Sequence, residues 1–202
     1  MITYNRLAES VKITLKKDKV LLVAYDESLQ FIGEGRSAFV FRIKATDKAI
    51  KVFFPNHIHI AKEEAEIYKQ LQGISYYPSI YDAGPNYLVI DYIEGHTLFE
   101  CLAQGIPVTP EKIREVDEAL LLAKNKGLNP SDIHLRNIFI TSEKEIKVID
   151  VARFRQTKNC TQWSDLKEAF YRVYLKPFFP KKIPVFILNL IAALYKRKLI
   201  PM

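Results

Sequence analysis

The sequence predicts an α+β chain of two lobes with a cleft between them, an antiparallel-sheet lobe first and a short, mainly helical lobe after it. Three observations point there. Short runs of β-branched and aromatic residues fill the first third, helical periodicity takes over later, and the change falls near Glu94. The 202 residues, 49% hydrophobic and 26% charged, suffice for a packed core and exclude wholesale disorder.

Val11–Leu15 and Val20–Tyr25 read as strands joined by a turn at Lys16–Lys19. Leu29–Ile32, Phe39–Lys44 and Lys48–Phe53 follow, the last two joined around Thr46 and Asp47. Ile58–Gln72 is helical, with Ile60, Ile67 and Leu71 apolar, and stops at Gly73. Tyr87–Ile93 reads as a buried strand ending in Glu94-Gly95. Thr109-Pro110-Glu111 starts a helix, with a capping hydroxyl and proline in the first turn, that runs to Gly127. A loop over 128–137, strands at 138–141 and 146–149, and helices near 164–175 and 184–198 complete the chain. The expected division is 1–93, including an extension over 1–28, and 94–202.

Composition narrows the setting. Seven glycines and ten prolines are scattered, which excludes collagen-like and low-complexity classes. Cys101 and Cys160 match neither metal-ligand nor redox spacing and make no disulfide framework, as in a reducing, cytoplasmic setting. The start Met1–Glu9 has no secretory apolar stretch. The longest apolar run, Ile183–Tyr195, is interrupted by Pro184 and Asn189 and falls short of the ~20 residues a spanning helix needs. The +7 charge is concentrated: Arg172, Lys176, Lys181, Lys182, Lys196, Arg197 and Lys198 follow Tyr171 with no acidic residue among them. Residues 1–170 therefore balance to zero, and the 171–202 segment is the one suited to an acidic partner.

Four features in fixed order carry the chemistry. The first is Gly33-Glu-Gly35-Arg-Ser37-Ala38-Phe-Val40, a Gly-x-Gly turn between two strands that lets backbone amides approach phosphate; an ordinary hairpin is the plainer reading. The second is Lys51 within Ala49-Ile-Lys-Val52, either an edge-strand solubiliser or a cation aimed into the cleft. Glu64, thirteen residues on, has Ile67, Tyr68 and Leu71 at +3, +4 and +7, so it shares the core-facing side of its helix and wants a cation such as Lys51; the plainer reading leaves it solvated with Glu63 and Glu66. The third is Asp132-Ile-His-Leu-Arg-Asn137, and the fourth Asp150 at the end of Val148-Ile-Asp. If 138–149 closes as a hairpin, its ends converge, and Asn137 and Asp150 could share a hard cation such as Mg²⁺ with Asp132 beside them as a base or orienter. Singly, each aspartate is an ordinary turn residue; the Asp-x₄-Asn and second Asp in this register are not.

Over roughly Leu29–Asp165 this order resembles the eukaryotic-type protein kinase fold, in the small form of RIO-type and bacterial serine/threonine-kinase-like proteins. The resemblance implies that Gly33, Gly35, Ser37, Ala38 and Val40 form the glycine-rich loop over ATP. Lys51 then holds the α- and β-phosphates with Glu64 as its partner, Asp132 is the catalytic-loop aspartate, and Asn137 and Asp150 are the ligands of Mg²⁺ or Mn²⁺. Leu88–Ile93 resembles the hinge, with the backbone of Asp91 and Ile93 at the adenine, Ile90 as gatekeeper and Ala49 on the ring. Trp163-Ser-Asp165 resembles the helix whose buried aspartate ties down the catalytic loop.

The departures bear on the acceptor. Ala38 replaces the third loop glycine. Pro130-Ser131 replaces His-Arg before Asp132, which removes the arginine that reads a phosphorylated activation loop. His134 stands where lysine is usual, as in aminoglycoside- and choline-kinase-like enzymes, and serves either a phosphate contact or a structural hydrogen bond. Asp150-Val-Ala152 replaces Asp-Phe-Gly, and no Ala-Pro-Glu follows in the remaining 52 residues, so the peptide-docking part is missing or reduced. Thr157 and Thr161 are candidate phosphoacceptors by position alone. His57 and His59 read as a solvated helix start too sparse for a metal, and His96 lies near the ribose side.

The expected activity is ATP- and Mg²⁺-dependent transfer of phosphate to a serine or threonine hydroxyl, on a protein or on the chain itself. A sugar, lipid or other small acceptor is the second reading, and a nucleotide-binding pseudokinase or interaction module the third. The tail reads either as a terminal helix packed on its lobe or as an interfacial segment on an anionic membrane or acidic partner. Nucleic acid has no direct support, because the tail aromatics cluster with aliphatics rather than with arginines.

Overall fold

The strands expected in the first third are present in the computed structural model, which describes residues 3–17 and 19–197. Helix α1 (Tyr4–Ser10) comes first, a turn of structure that the strand pattern does not announce; the Thr3 hydroxyl caps it by accepting from the Arg6 N–H. Strands β1 (Lys12–Lys16) and β2 (Lys19–Ala24) pair as a separate antiparallel hairpin. Then come β3 (Leu29–Glu34), β4 (Ala38–Ile43), β5 (Lys48–Phe53), a 3-10 turn at Pro55–His57, α2 (Ile58–Leu71), β6 (Ile80–Ala83) and β7 (Tyr87–Asp91). The five strands form one antiparallel sheet in the order β3-β4-β5-β7-β6. Strand β7 ends at Asp91, two residues earlier than its apolar run, with the Tyr92 N–H donating to the Asp47 carbonyl one step beyond the last pair. Helix α2 stops at Gly73, whose φ of +85° suits a residue without Cβ.

Side chains alternate across β5 and so serve two faces. Ile50 and Val52 join Phe39, Phe41, Tyr87 and Val89 in a core closed by Leu7 and Ala8 of α1, with Ile13, Val20 and Leu22 of the β1–β2 hairpin packed against it. Helix α2 packs on β5, β6 and β7. Ala61, Glu64, Ala65, Ile67, Tyr68 and Leu71 are its buried residues, the i, i+3, i+4, i+7 spacing of a helix laid on a sheet. His57 is less solvated than a helix start usually is: its Nδ1 is buried without a hydrogen-bond partner, beside the Phe54 ring.

A second unit comprises Ile74–Tyr77 and the residues from Glu94 on, the first unit being the rest. Here β8 (Gly95–Thr97), β9 (Ile138–Thr141) and β10 (Ile146–Val148) make a three-stranded sheet, and α3 (Leu98–Gln104), α4 (Pro110–Asn125), α5 (Gln162–Ala169), a π-helical turn (Phe170–Tyr174) and α6 (Val185–Lys196) supply the helices. Tyr77 is fixed by its hydroxyl donating to the Ala119 carbonyl and by edge contact with Phe154, and the Val148 N–H donates to the Tyr76 carbonyl. Thr97 and Glu100 form a reciprocal capping box that starts α3. Thr109 makes no such cap bond; its hydroxyl engages the Glu111 carboxylate instead, and Pro110 alone marks the start of α4. The helix expected near 164–175 is two pieces, α5 followed by the π turn that buries Phe170 and Tyr174. The helix expected over 184–198 runs 185–196, its last expected residue lying outside the described ones. No helix among the described residues is long and apolar enough to cross a membrane.

Candidate active site

In the first unit, strand register gathers the candidate nucleotide residues on one face of the sheet. Val40, Lys51 and Leu88 lie in one cross-strand row, Arg42, Ala49 and Ile90 in another, and Ala38 opposite Phe53 in a third. Ala38, Val40, Ala49, Lys51 and Ile90 therefore share a face, opposite the one that packs under α1. The Lys51 ammonium donates to both Glu64 carboxylate oxygens, at 2.8 and 2.7 Å. Glu64 is buried to 1% side-chain exposure and Lys51 to 12%. A carboxylate so deep is stable only with a cation on it, and helix α2 fixes where that cation's head can be.

The glycine-rich segment is a tight hairpin: Glu34 pairs with Phe39, and the Gly35 N–H donates to the Ala38 carbonyl. A Cβ on Gly33 would meet nothing, and one on Gly35 would make only ordinary contact with the Ala38 carbonyl. Neither residue is a glycine for the sake of the fold here. What the missing side chains leave is open backbone at Gly33 and Gly35, the kind of surface a phosphate can approach. At the other end of the face, the Asp91 carboxylate accepts from the Ser79 N–H and the Tyr81 hydroxyl, and the Asp91 N–H donates to the Ser79 carbonyl. Any ligand contact at Asp91 thus falls to its carbonyl, with Ile93 two residues further on.

In the second unit, the β9–β10 hairpin closes as its apolar runs suggest. Val148 pairs with Ile138, and one step beyond the ladder the Ile149 N–H donates to the Asn137 carbonyl. Asn137 and Asp150 therefore sit at the open mouth of one hairpin. The Asn137 amide NH₂ donates to the Asp132 carbonyl at 3.2 Å, which orients the side chain and leaves its oxygen as the end facing outward from that bond. The preceding loop is pinned from elsewhere. The Asn129 N–H donates to the Phe154 carbonyl, its side chain to the Gln156 and Lys158 carbonyls, and the Phe99 N–H to the Leu135 carbonyl. His134 is half-buried, and its carbonyl accepts from the Asn137 N–H.

Backbone conformation singles out the two aspartates. Among the described residues five non-glycines have φ in the left-handed region, and Lys17, Ala45 and Lys144 are the turn residues of three hairpins. The other two are Asp132 (φ 61°) and Asp150 (φ 59°). Such a conformation costs of order 1 kcal/mol for a residue with a Cβ, and it is characteristically kept where function requires it. Two oxygen donors, an amide carbonyl and a carboxylate, also match a hard cation that arrives with phosphate and water as its remaining ligands. No three His, Cys, Asp or Glu side chains cluster as a metal cage among the described residues.

Two features were not legible in the motifs. The Arg153 guanidinium lies 3.5 Å from the Asp132 carboxylate, so a cation faces the candidate base; only its place three residues after Asp150 hinted at it. Asp165 does not tie down the catalytic loop. It is half-buried, and it accepts from the Thr161 and Tyr195 hydroxyls, so it links α5 to α6. The buried member of that helix is Trp163, whose indole N–H donates to Asp117 of α4.

No family model matches the chain. A Bacillus subtilis (strain 168) protein named "Putative serine/threonine-protein kinase YrzF" is 51% identical over 173 residues, which cover 85% of this chain and 80% of that protein. A "Probable serine/threonine-protein kinase" of Clostridium perfringens (strain 13 / Type A) is 29% identical over 143 residues, 61% of this chain and 21% of that protein. Aurora kinase A-A of Xenopus laevis is 26% identical over 136 residues, 59% of this chain and 33% of that protein. The last two are thus matched over a third of their length or less. With an α+β fold whose antiparallel sheet precedes its helices, and a relative matched over four-fifths of its length, the chain belongs to the protein kinase-like superfamily.

Proposed function

We propose that the chain is an ATP- and Mg²⁺-dependent serine/threonine protein kinase of the small, RIO-like kind, in which residues 1–93 bind the nucleotide and 94–202 supply the catalytic loop. The observation that carries this reading is the buried Lys51–Glu64 pair. A simple solubilising lysine has no use for a carboxylate held at 1% exposure, whereas a phosphate-binding ammonium needs its position fixed.

Lys51 holds the α- and β-phosphates, with the Gly33–Val40 backbone over them. Val40, Ala49 and Ile90 line the adenine, and the Asp91 carbonyl and Ile93 backbone meet its edge. Asn137 and Asp150 hold Mg²⁺, which when bound offsets the negative charge of the phosphates. Asp132 accepts the proton of the acceptor hydroxyl as its oxygen bonds to the γ-phosphorus and the bond to the β-phosphate oxygen breaks, leaving ADP. Catalysis in this account is mostly positioning and charge complementarity. On the same reading the chain sits in a reducing, cytoplasmic setting; Cys101 is buried, and that burial pushes its thiol pKa up.

The test is transfer of label from γ-labelled ATP to generic protein acceptors, comparing the chain with Asp132→Asn and Asp150→Asn. Label on serine or threonine that both variants abolish supports the proposal. Label found only on small metabolites or lipids moves the acceptor to the second class. Equal background transfer by all three proteins, with nucleotide still raising the melting temperature, makes the chain a binding module.

A further inference from the structure

Helix α6 is out of keeping with the rest of the chain. Helix α2 buries six of its 14 residues and α4 five of 16, each along one apolar stripe. Helix α6 is apolar around most of its surface, with Asn189, Lys196 and the Tyr195 hydroxyl its polar groups among 12 residues, yet Leu188 is the one it fully buries. A helix this apolar belongs inside a core or in another apolar phase. Here Val185, Phe186, Leu190 and Ile191 face solvent, Phe186 at 71%, and the approach to the helix adds Phe178 at 84% with Tyr171, Val173 and Leu175. Beneath it Leu188 and Ile187 join a small core with Phe99 and Ile183, and alongside lies a cavity of about 650 Å³ walled by Leu98, Leu102, Phe170, Phe179, Ile183 and Leu188. Val173 and Ile191 line the cavity and are also exposed, so it opens on this same surface.

Charge indicates what covers the patch. Arg172 pairs with Glu168 and the Lys181 ammonium is held by the Tyr174 carbonyl and ring, but Lys176 and Lys182 before α6 and Lys196 and Arg197 at its end are exposed, and no carboxylate follows Glu168. A second copy of the chain would set these cations against their like. At 1.5 Å per residue, 12 residues reach about 18 Å, well short of a hydrocarbon core of about 30 Å. An apolar helix of that length with cations at both ends suits the plane of a membrane surface, where apolar side chains enter the acyl boundary and lysines reach anionic headgroups.

We infer that the 171–197 surface docks the chain on anionic lipid bilayers. The inference is independent of the kinase reading, since it is read without ATP. The experiment is co-sedimentation of the full chain with vesicles of phosphatidylcholine alone, or with a third of phosphatidylglycerol, at low salt and in about 1 M salt, where the Debye length is about 3 Å. Binding to the anionic vesicles only, released by salt, is expected. Each lysine removed weakens it about fivefold. Lys176→Glu with Lys182→Glu thus weakens it at least tenfold, and Phe186→Asp with Leu190→Asp abolishes it. All four residues are exposed, so these variants keep the wild-type Trp163 emission and melting temperature. No binding, equal binding to neutral vesicles, or variants that bind like the wild type would overturn the inference. So would a dimer, seen by light scattering and lost in Phe186→Asp, in a chain that ignores vesicles.

Discussion

Removing the Lys51 ammonium while leaving Glu64 in place is the most informative perturbation of the first unit. Both carboxylate oxygens bond that ammonium, and water is nearly absent: the side chains are 12% and 1% exposed. Taking one partner from a buried ion pair costs about 3–5 kcal/mol, because the other charge stays desolvated, whereas replacing both by apolar groups of similar volume costs little. The Arg114–Glu111 pair is the control, being 64% and 60% exposed, and its loss costs no more than about 1 kcal/mol. Urea unfolding followed by far-ultraviolet circular dichroism reads the difference. With a slope of about 2 kcal/mol/M, Lys51→Met lowers the midpoint by about 1.5–2.5 M. Lys51→Met with Glu64→Met returns to within about 0.5 M of the wild type, and Arg114→Ala stays within that margin. A Lys51→Met midpoint indistinguishable from that of Arg114→Ala would refute the reasoning, since the pair would then be behaving as a solvated one.

Other consequences follow from single residues. Gly95→Ala collapses the second unit, because at φ 153° its Cβ would lie 2.3 Å from the Ile140 carbonyl oxygen across the β8–β9 ladder; early loss of Trp163 emission on heating reports it. Gly33→Ala melts like the wild type, as its Cβ meets nothing, but binds a fluorescent ATP analogue more weakly, since the methyl enters the space proposed for phosphate. Tyr87 is pushed up to about 12, first by burial and then by its bond to Asp82. Above pH 10 the unfolded chain ionises this phenol first, so its contribution is complete below pH 10 and lost as pH rises toward 12. Alkaline titration of stability should therefore fall less steeply in Tyr87→Phe.

What could be read from the sequence was what local physics dictates. The β-branched runs that became β1 to β5 pair with their neighbours in sequence, β1 with β2, β3 with β4 and β4 with β5, and Gly73 ends α2 through its own backbone freedom. The 138–148 hairpin likewise closes on its nearest apolar neighbours, which is why Asn137 and Asp150 flank its mouth. Strand β8 is different. Its three residues are a strand only because Phe139–Thr141, over 40 positions later, pair with them. Ile74–Tyr77 likewise belong to the second unit through the Ala119, Phe154 and Val148 contacts that no local pattern shows. Helix α3 was within reach, for Thr97-x-x-Glu100 is a capping box in plain view. The redirection of Asp165 to Tyr195 is a tertiary fact with no signature in spacing, and the Arg153–Asp132 contact had only Arg153's nearness to Asp150 to hint at it.

The central claim is the one proposed above, that Lys51 binds the phosphates of ATP and Asp150 the accompanying Mg²⁺. Calorimetric titration with ATP, with and without Mg²⁺, tests it most directly on the wild type, Lys51→Met and Asp150→Asn. The account predicts Mg²⁺-dependent binding by the wild type, binding at least tenfold weaker in Lys51→Met, and in Asp150→Asn an affinity that no longer responds to Mg²⁺. Wild-type affinity and Mg²⁺ response in either variant would contradict it.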